Sequence, residues 1–242
     1  EMVIRDWSSD VCSSDLLKQI IEMRKNEPGM FIELAHLTKD ETMKETILLT
    51  GFEPFGGADT NPSFDMLQYV PGEIHRNYET LKLPVIGGEP LKALDSAIRD
   101  KKPVAVFAFG QGKPGQFSIE TIARNSRAQY NDNAGRLPES PAVIPDGRPV
   151  YVSSSPVNAI ETRLIAEGYP VRLSTDTGQY LCEETLYSLE YLRDSRYPWL
   201  DVLFIHVPPV STTKYESETG DDIRYYGRFV RAVIDAWSAT RR

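Results

Sequence analysis

The chain has 242 residues, 40% of them hydrophobic and 26% charged, which excludes disorder and collagen-like repetition and is enough for one large or two small domains. With 27 Lys+Arg against 35 Asp+Glu the formal net charge is -8, which argues against non-specific attraction to nucleic acid or anionic lipid. No stretch reaches the roughly 18 uninterrupted apolar residues of a membrane span, and the chain does not open on a basic stretch followed by ~7–15 apolar residues, so no membrane partner and a cytoplasmic location are expected. Two cysteines, Cys12 and Cys182, are too few for a disulfide framework and direct attention to a reactive thiol.

The first 46 residues stand apart. Arg5 to Leu16 (RDWSSDVCSSDL) is polar, aperiodic and rich in Ser-Asp pairs, and it resembles the in-frame translation of a sequencing-library adapter. On that reading Cys12 carries no information. Leu17 to Thr46 is highly charged, with a short helical pattern at Leu17, Ile20, Ile21 and Met23, and Met43 is the expected start of the native protein. Residues 47–242 are then one α/β domain.

From Ile47 on, apolar or β-branched runs bounded by Gly, Pro or Asp predict strands at Ile47–Thr50, Leu83–Ile86, Val104–Phe109, Val171–Ser174 and Val202–Val207. Helical spacing appears between them at Leu91, Leu94 and Ile98, at Val157, Ile160 and Leu164, at Leu186, Leu189 and Leu192, and at Ile223, Tyr226, Val230 and Val233. The alternation predicts an α/β class: a single domain with an open, twisted, mainly parallel sheet and helices on both faces. Residues 128–147 are turn-rich and read as a long excursion, and residues 211–221 as a second polar loop.

Three side chains are candidates for nucleophilic chemistry. Cys182 follows the turn Asp176-Thr177-Gly178 and opens a helix, where the helix dipole favours thiolate, although the charges of Glu183 and Glu184 oppose it. The bland alternative is a small buried hydrophobe. His206 lies near the carboxyl end of the run Val202–Ile205, the end of a parallel strand at which catalytic groups collect, and is otherwise a half-buried histidine donating to a loop carbonyl. His36 lies in the doubtful N-terminal segment and His75 between Ile74 and Arg76 in a polar stretch, and both read as solvated. Glu120 follows the alternating run Phe117–Ile119 after the glycine-containing loop Gly110–Gly115; it is either a surface charge or the acid that orients an imidazole. The loop GQGKPG lacks the GxxxxGK[ST] pattern of a phosphate-binding loop, and a single Asp-Thr-Gly does not make an aspartic protease, which needs two carboxylates sharing a proton.

Taken together, these segments resemble one family. ILLTGFEPFGG at Ile47–Gly57 with Asn61-Pro62-Ser63, then FGQGKPG, FSIETIARN, STDTGQYLC and FIHVP, are similar in order to the signatures of pyroglutamyl peptidase I, the pyrrolidone-carboxylate peptidases of the cysteine peptidase class. The resemblance runs from Ile47 to the C-terminal helix. It implies a cysteine exopeptidase that removes an N-terminal pyroglutamyl residue from small peptides, with Glu120, Cys182 and His206 as the triad and no metal or organic cofactor. It further implies that Phe52, Phe55, Gln111 and Tyr180 bind substrate, core packing being the alternative for the aromatics, and that the protein is a homo-oligomer, a tetramer in many family members. Two other readings stay open: a thiol amidase or esterase of the same fold acting on another small acyl group, and a catalytically silent homologue.

The sequence also departs from the family. Thr121 stands where the family has Arg after the catalytic Glu, Thr175 and Asp176 occupy the SNTAG motif, and Glu183 follows the nucleophile where Asn is common. Gln129 takes the place of an active-site Arg, Lys113 and Pro114 alter the glycine loop, and Arg124 or Arg127 are the candidates to replace the missing guanidinium.

Overall fold

The computed structural model describes residues 45–72, 77–178, 180–210 and 222–241. The adapter-like segment with Cys12, the helical pattern from Leu17, His36, Met43, His75 and the polar loop 211–221 lie outside the described residues.

Among the described residues, six strands form one sheet. They are β1 (Thr46–Phe52), β2 (Asn77–Leu83), β3 (Ala105–Gln111), β4 (Phe117–Glu120), β7 (Val171–Ser174) and β8 (Asp201–Val207), in the order β2-β1-β3-β8-β4-β7. All neighbours run parallel except β4 and β8, which are antiparallel. The short strands β5 (Ile122–Arg124) and β6 (Val150–Val152) form a separate antiparallel pair, and the turn-rich excursion is the loop that joins them. The helices are α1 (Pro62–Asp65, continued by a 3-10 turn to Tyr69), α2 (Glu89–Lys101), α3 (Val157–Ala166), α4 (Leu181–Ser195) and α5 (Asp222–Ala239).

Successive strand residues point to opposite faces, so each central strand feeds two cores. Ile47, Leu49, Phe107, Leu203 and Ile205 pack with Met66 and Leu67, with Ile160 and Leu164 of α3, and with Phe229, Val230, Val233 and Trp237 of α5. Leu48, Val106, Ala108, Val202 and Phe204 pack on the other side with Leu94 and Ile98 of α2 and with Leu186 and Leu189 of α4. The helices therefore cover both faces, as the periodicity predicts.

The second strand lies earlier than expected, at Asn77–Leu83 rather than Leu83–Ile86. As an edge strand it is exposed along much of its length, so it reads as polar. The apolar run that follows is broken by Pro84, which has no N–H for a ladder; Val85 still packs in the core, but from a turn.

The Asn61-Pro62-Ser63 motif locks α1 to β1. Asn61 caps the helix by accepting from the Ser63 N–H (3.1 Å), and Ser63 Oγ accepts from the Phe52 N–H across the bend (3.0 Å). Gly51 leaves room for this, because a Cβ there would stand 2.2 Å from the Ser63 carbonyl oxygen. Phe52, at the end of β1, is held at the rim of the sheet beside the site described next. No described helix is long and apolar enough to cross a membrane.

Candidate active site

Strand pairing brings the acid and the imidazole together. β4 runs antiparallel to β8 with Ser118 opposite His206 and Ile119 opposite Ile205, so Glu120 falls diagonally across from His206 on the same face. A long side chain spans that diagonal. Glu120 Oε1 accepts from His206 Nδ1 at 2.8 Å; both groups are buried, and Glu120 Oε2 has no partner among the described residues. With Nδ1 committed to Glu120, Nε2 is the ring nitrogen left to exchange a proton.

Cys182 approaches from above that face. It lies in the first turn of α4, whose N-cap, Tyr180, offers no side-chain capping bond, so the first N–H groups of the helix are not taken by a capping side chain. The positive end of the helix dipole is thus directed at the sulfur. Two glycines make this approach sterically feasible. A Cβ on Gly110 of β3 would stand 2.8 Å from Cys182 Sγ and 3.3 Å from His206 Cδ2, and one on Gly112 would stand 2.6 Å from His206 Cβ. The alternating glycines in FGQG are the sequence signal of such a close approach.

The charges follow from this geometry. Burial works against a charged His206, but the facing Cys182, by charge and hydrogen bond, and the Glu120 carboxylate outweigh it and hold the imidazole pKa well above its ordinary 6.5. The two acidic residues after the cysteine, which the sequence left as a complication, are drawn away from the sulfur. Glu184 accepts from Gly88 N–H (2.5 Å) and from Arg127 Nε (2.6 Å). Glu183 accepts from Arg124 N–H (2.5 Å); burial raises its carboxyl pKa, an effect the bond and charge of Arg124 oppose and the charges of Glu120 and Asp176 reinforce.

Cys182, His206 and Glu120 open onto one cavity of about 560 Å³, and Phe52, Phe55, Gln111 and Tyr180 all line it. At one end the walls are apolar, with Phe52, Phe55, Val85 and Leu181; past His206 they turn polar, with Lys113, Ser118, Arg172 and Asp176. Val85, Ser118 and Arg172 also line the cavity without any local sequence signal that distinguishes them, and Asn61, legible only as part of the Asn61-Pro62-Ser63 motif, lines it too. The hairpin loop is pinned to the cavity edge: Tyr180 OH donates to the Asn131 carbonyl (3.0 Å), Asn133 N–H to the Val85 carbonyl (2.9 Å), and Asn133 Nδ2 to Glu53 Oε1 (3.1 Å).

The departures resolve differently from one another. Gln129 is exposed and does not line the cavity. Neither of the arginines considered as its replacement lines it either: Arg127 is bound to Glu184 and to the Ala142 carbonyl, and Arg124 Nη1 donates to the Thr175 carbonyl. Thr121 ties its hydroxyl to the Ser174 carbonyl at 2.8 Å.

Comparison with known proteins places this geometry in context. The family model described as pyroglutamyl peptidase matches residues 45–239. The chain is 34% identical over 165 residues to a pyrrolidone-carboxylate peptidase of Thermosipho melanesiensis, covering 67% of this chain and 82% of that one. It is 31% identical over 199 residues to one from Levilactobacillus brevis, covering 78% and 98%. Among solved structures, pyrrolidone carboxyl peptidase from Fervidobacterium islandicum superposes with a TM-score of 0.72 at 25% identity, covering 81% of this chain and 99% of that one. Pyroglutamyl peptidase I from Bacillus amyloliquefaciens shares the fold with a TM-score of 0.71 at 24% identity, covering 81% and 97%.

Proposed function

Because the chain belongs to the pyroglutamyl peptidase family, we propose that it is a cysteine exopeptidase that removes N-terminal pyroglutamate from peptides, with Cys182 as nucleophile, His206 as acid and base, and Glu120 as the group that orients the imidazole. The observation that carries this reading is the convergence of a helix-start thiol, a buried imidazole and a buried carboxylate on one cavity with an aromatic end.

The Cys182 thiolate, its proton held on His206, attacks the pyroglutamyl carbonyl carbon and forms a C–S bond while the carbonyl oxygen takes up the negative charge. The N–H groups at the start of α4 stabilise that oxyanion; loss of one such donor costs ~3–4 kcal/mol. The C–N bond then breaks as His206 gives its proton to the leaving amine, leaving a thioester. Water, deprotonated by His206, attacks the thioester; 5-oxoproline leaves as the acid and the Cys182 thiolate returns. Phe52, Phe55 and Tyr180 pack against the flat neutral ring, and Gln111 supplies a polar partner at its edge.

The test is release of fluorophore from a pyroglutamyl-aminocoumarin by the full chain and by Cys182→Ala. Activity in the wild type that falls by at least about 10³-fold in the variant is the expected result. Equal or faster turnover of a prolyl or acetyl aminocoumarin supports the amidase reading instead, and a folded, inactive wild type supports a silent homologue. Residues 47–242 are proposed to carry the whole activity, so a chain beginning at Met43 retains it. The cytoplasmic location and the homo-tetramer belong to the same proposal and are tested by cell fractionation and by sedimentation.

A further inference from the structure

In hydrolysis of a peptide by a thiol–imidazole pair, the leaving amine takes its proton from the imidazole, so the departing chain must lie on the histidine side of the sulfur. The aromatic end of the cavity suits the pyrrolidone ring, and the departing chain then runs over the polar half beyond His206. That half is organised by strand register. Ser118 of β4 is directly opposite His206 of β8 on one side and Arg172 of β7 on the other, so the three side chains form one row across three adjacent strands on one face of the sheet. Strands are spaced about 4.8 Å apart, which puts the Arg172 backbone about 10 Å from that of His206.

Arg172 lines the same cavity as Cys182 and has no carboxylate partner among the described residues. Its guanidinium instead lies against a neutral group, the Gln116 side-chain amide, whose oxygen, with the amide turned to face it, stands 2.6 Å from Nε and 3.1 Å from both Nη atoms. The other cation on this side is already answered: Lys113 Nζ stands 3.7 Å from Asp176 Oδ2, with both side chains exposed. Glu120 is committed to His206. Among the described residues, the polar half therefore carries one uncompensated positive charge, placed along the path of the leaving group.

We propose that Arg172 receives a carboxylate of the leaving peptide, so that the enzyme favours short pyroglutamyl peptides whose free C-terminal carboxylate lies one or two residues beyond the scissile bond. Each extended residue spans about 3.3–3.6 Å, which brings such a carboxylate into the interval between His206 and the Arg172 side chain. The planar guanidinium matches a carboxylate with two parallel hydrogen bonds, whereas an amide in its place presents one acceptor and no charge. This inference rests on the peptidase reading of Cys182 and His206.

The experiment compares kcat/KM for pyroglutamyl-Ala-Ala with that for its C-terminal amide, in wild type, Arg172→Gln and Arg172→Lys. Their ratio is read within one preparation and is insensitive to partial loss of folded enzyme. The wild type is expected to prefer the acid by about fivefold at low salt, the upper range for a solvent-accessible charge pair, with the ratio declining towards one at about 1 M salt. Arg172→Gln brings the ratio to about one, and Arg172→Lys, which keeps the charge but not the fork, retains part of it. Turnover of both peptides with no preference in the wild type, or a preference that survives Arg172→Gln, overturns the subsite while the peptidase reading stands. No turnover of these peptides or of the aminocoumarin overturns both.

Discussion

His206 Nδ1 and Glu120 Oε1 stand 2.8 Å apart although 86 residues separate them in the chain, and both side chains are buried. The contact arises from the one antiparallel pairing among the described strands of the main sheet, β4 against β8, which sets Glu120 diagonally across from His206.

Removing the carboxylate charge reads out this pair. The His206 pKa is raised despite burial, by Cys182 and by Glu120, so the imidazolium persists above pH 6.5. Its stabilising contribution is fully present below the unfolded value of 6.5 and is lost as pH rises through the higher folded value. In Glu120→Gln one of the two stabilising charges is gone. The alkaline limb of kcat/KM is therefore expected to move to lower pH, with activity at neutrality down on the order of 10²-fold. A pH–rate profile of the two proteins checks this, and an unmoved alkaline limb removes Glu120 from the triad.

Gly110 tests the steric side of the site. Its missing Cβ leaves the space in which Cys182 Sγ and His206 meet, 2.8 Å and 3.3 Å from where that carbon would stand. Gly110→Ala must push the sulfur or the ring aside. A displacement near 1 Å at reacting groups costs about 10²-fold, so kcat is expected to fall by that factor. Steady-state kinetics alongside far-UV circular dichroism separates this from unfolding.

Arg127 and Glu184 are expected to matter for stability. Glu184 is almost fully buried and has a guanidinium and a backbone N–H as partners. Arg127→Ala leaves that carboxylate buried without its counter-charge, at a cost of about 3 kcal/mol. The exposed Arg196–Asp95 pair, with Arg196 53% exposed, offers the contrast, because Arg196→Ala is expected to cost ~1 kcal/mol or less. Urea midpoints of the two variants decide the ordering.

Glu183 gives a pH signature of the same sign as that of His206, in a window that starts from a lower unfolded value. Burial raises its carboxyl pKa, so the folded state holds the proton more tightly than the unfolded chain and loses stability as pH rises between the two values. Glu183→Gln keeps an oxygen for the Arg124 N–H and removes the buried charge. The variant is expected to be more stable than wild type at pH 8, with the gain gone below the unfolded value of 4.5. Thermal melts across that range measure it, and a variant less stable at pH 8 than at pH 4 relative to wild type contradicts the assignment.

Much of this molecule is legible in its residues. Val171–Ser174 is a strand with the bounds the sequence predicts, and the apolar stripe of α5 faces the core as its spacing requires. Both follow from local periodicity, which a chain carries wherever it folds. Cys182 at a helix start and His206 near the end of a strand are readable for the same reason: each position depends on its near neighbours in sequence. The edge strand β2 escaped because exposure replaces its apolar pattern with a polar one.

Which of these pieces touch is another matter. The order β2-β1-β3-β8-β4-β7, the reversal at β4 and the row His206–Ser118–Arg172 are set by contacts between strands far apart in the chain. Periodicity says which residues share a face of their own strand and carries no information about which strand lies beside it or in which register. The same holds for Arg124 and Arg127, plausible by sequence as cavity cations and in the folded chain spent on a carbonyl and a buried carboxylate. Sequence by itself determined the buried strands β1, β3, β7 and β8, the four longer helices and the chemical identities of the candidate thiol, imidazole and carboxylate; tertiary structure alone decided their distances and which charges beside them stay uncompensated among the described residues, because both are properties of packing between segments remote from one another in the chain.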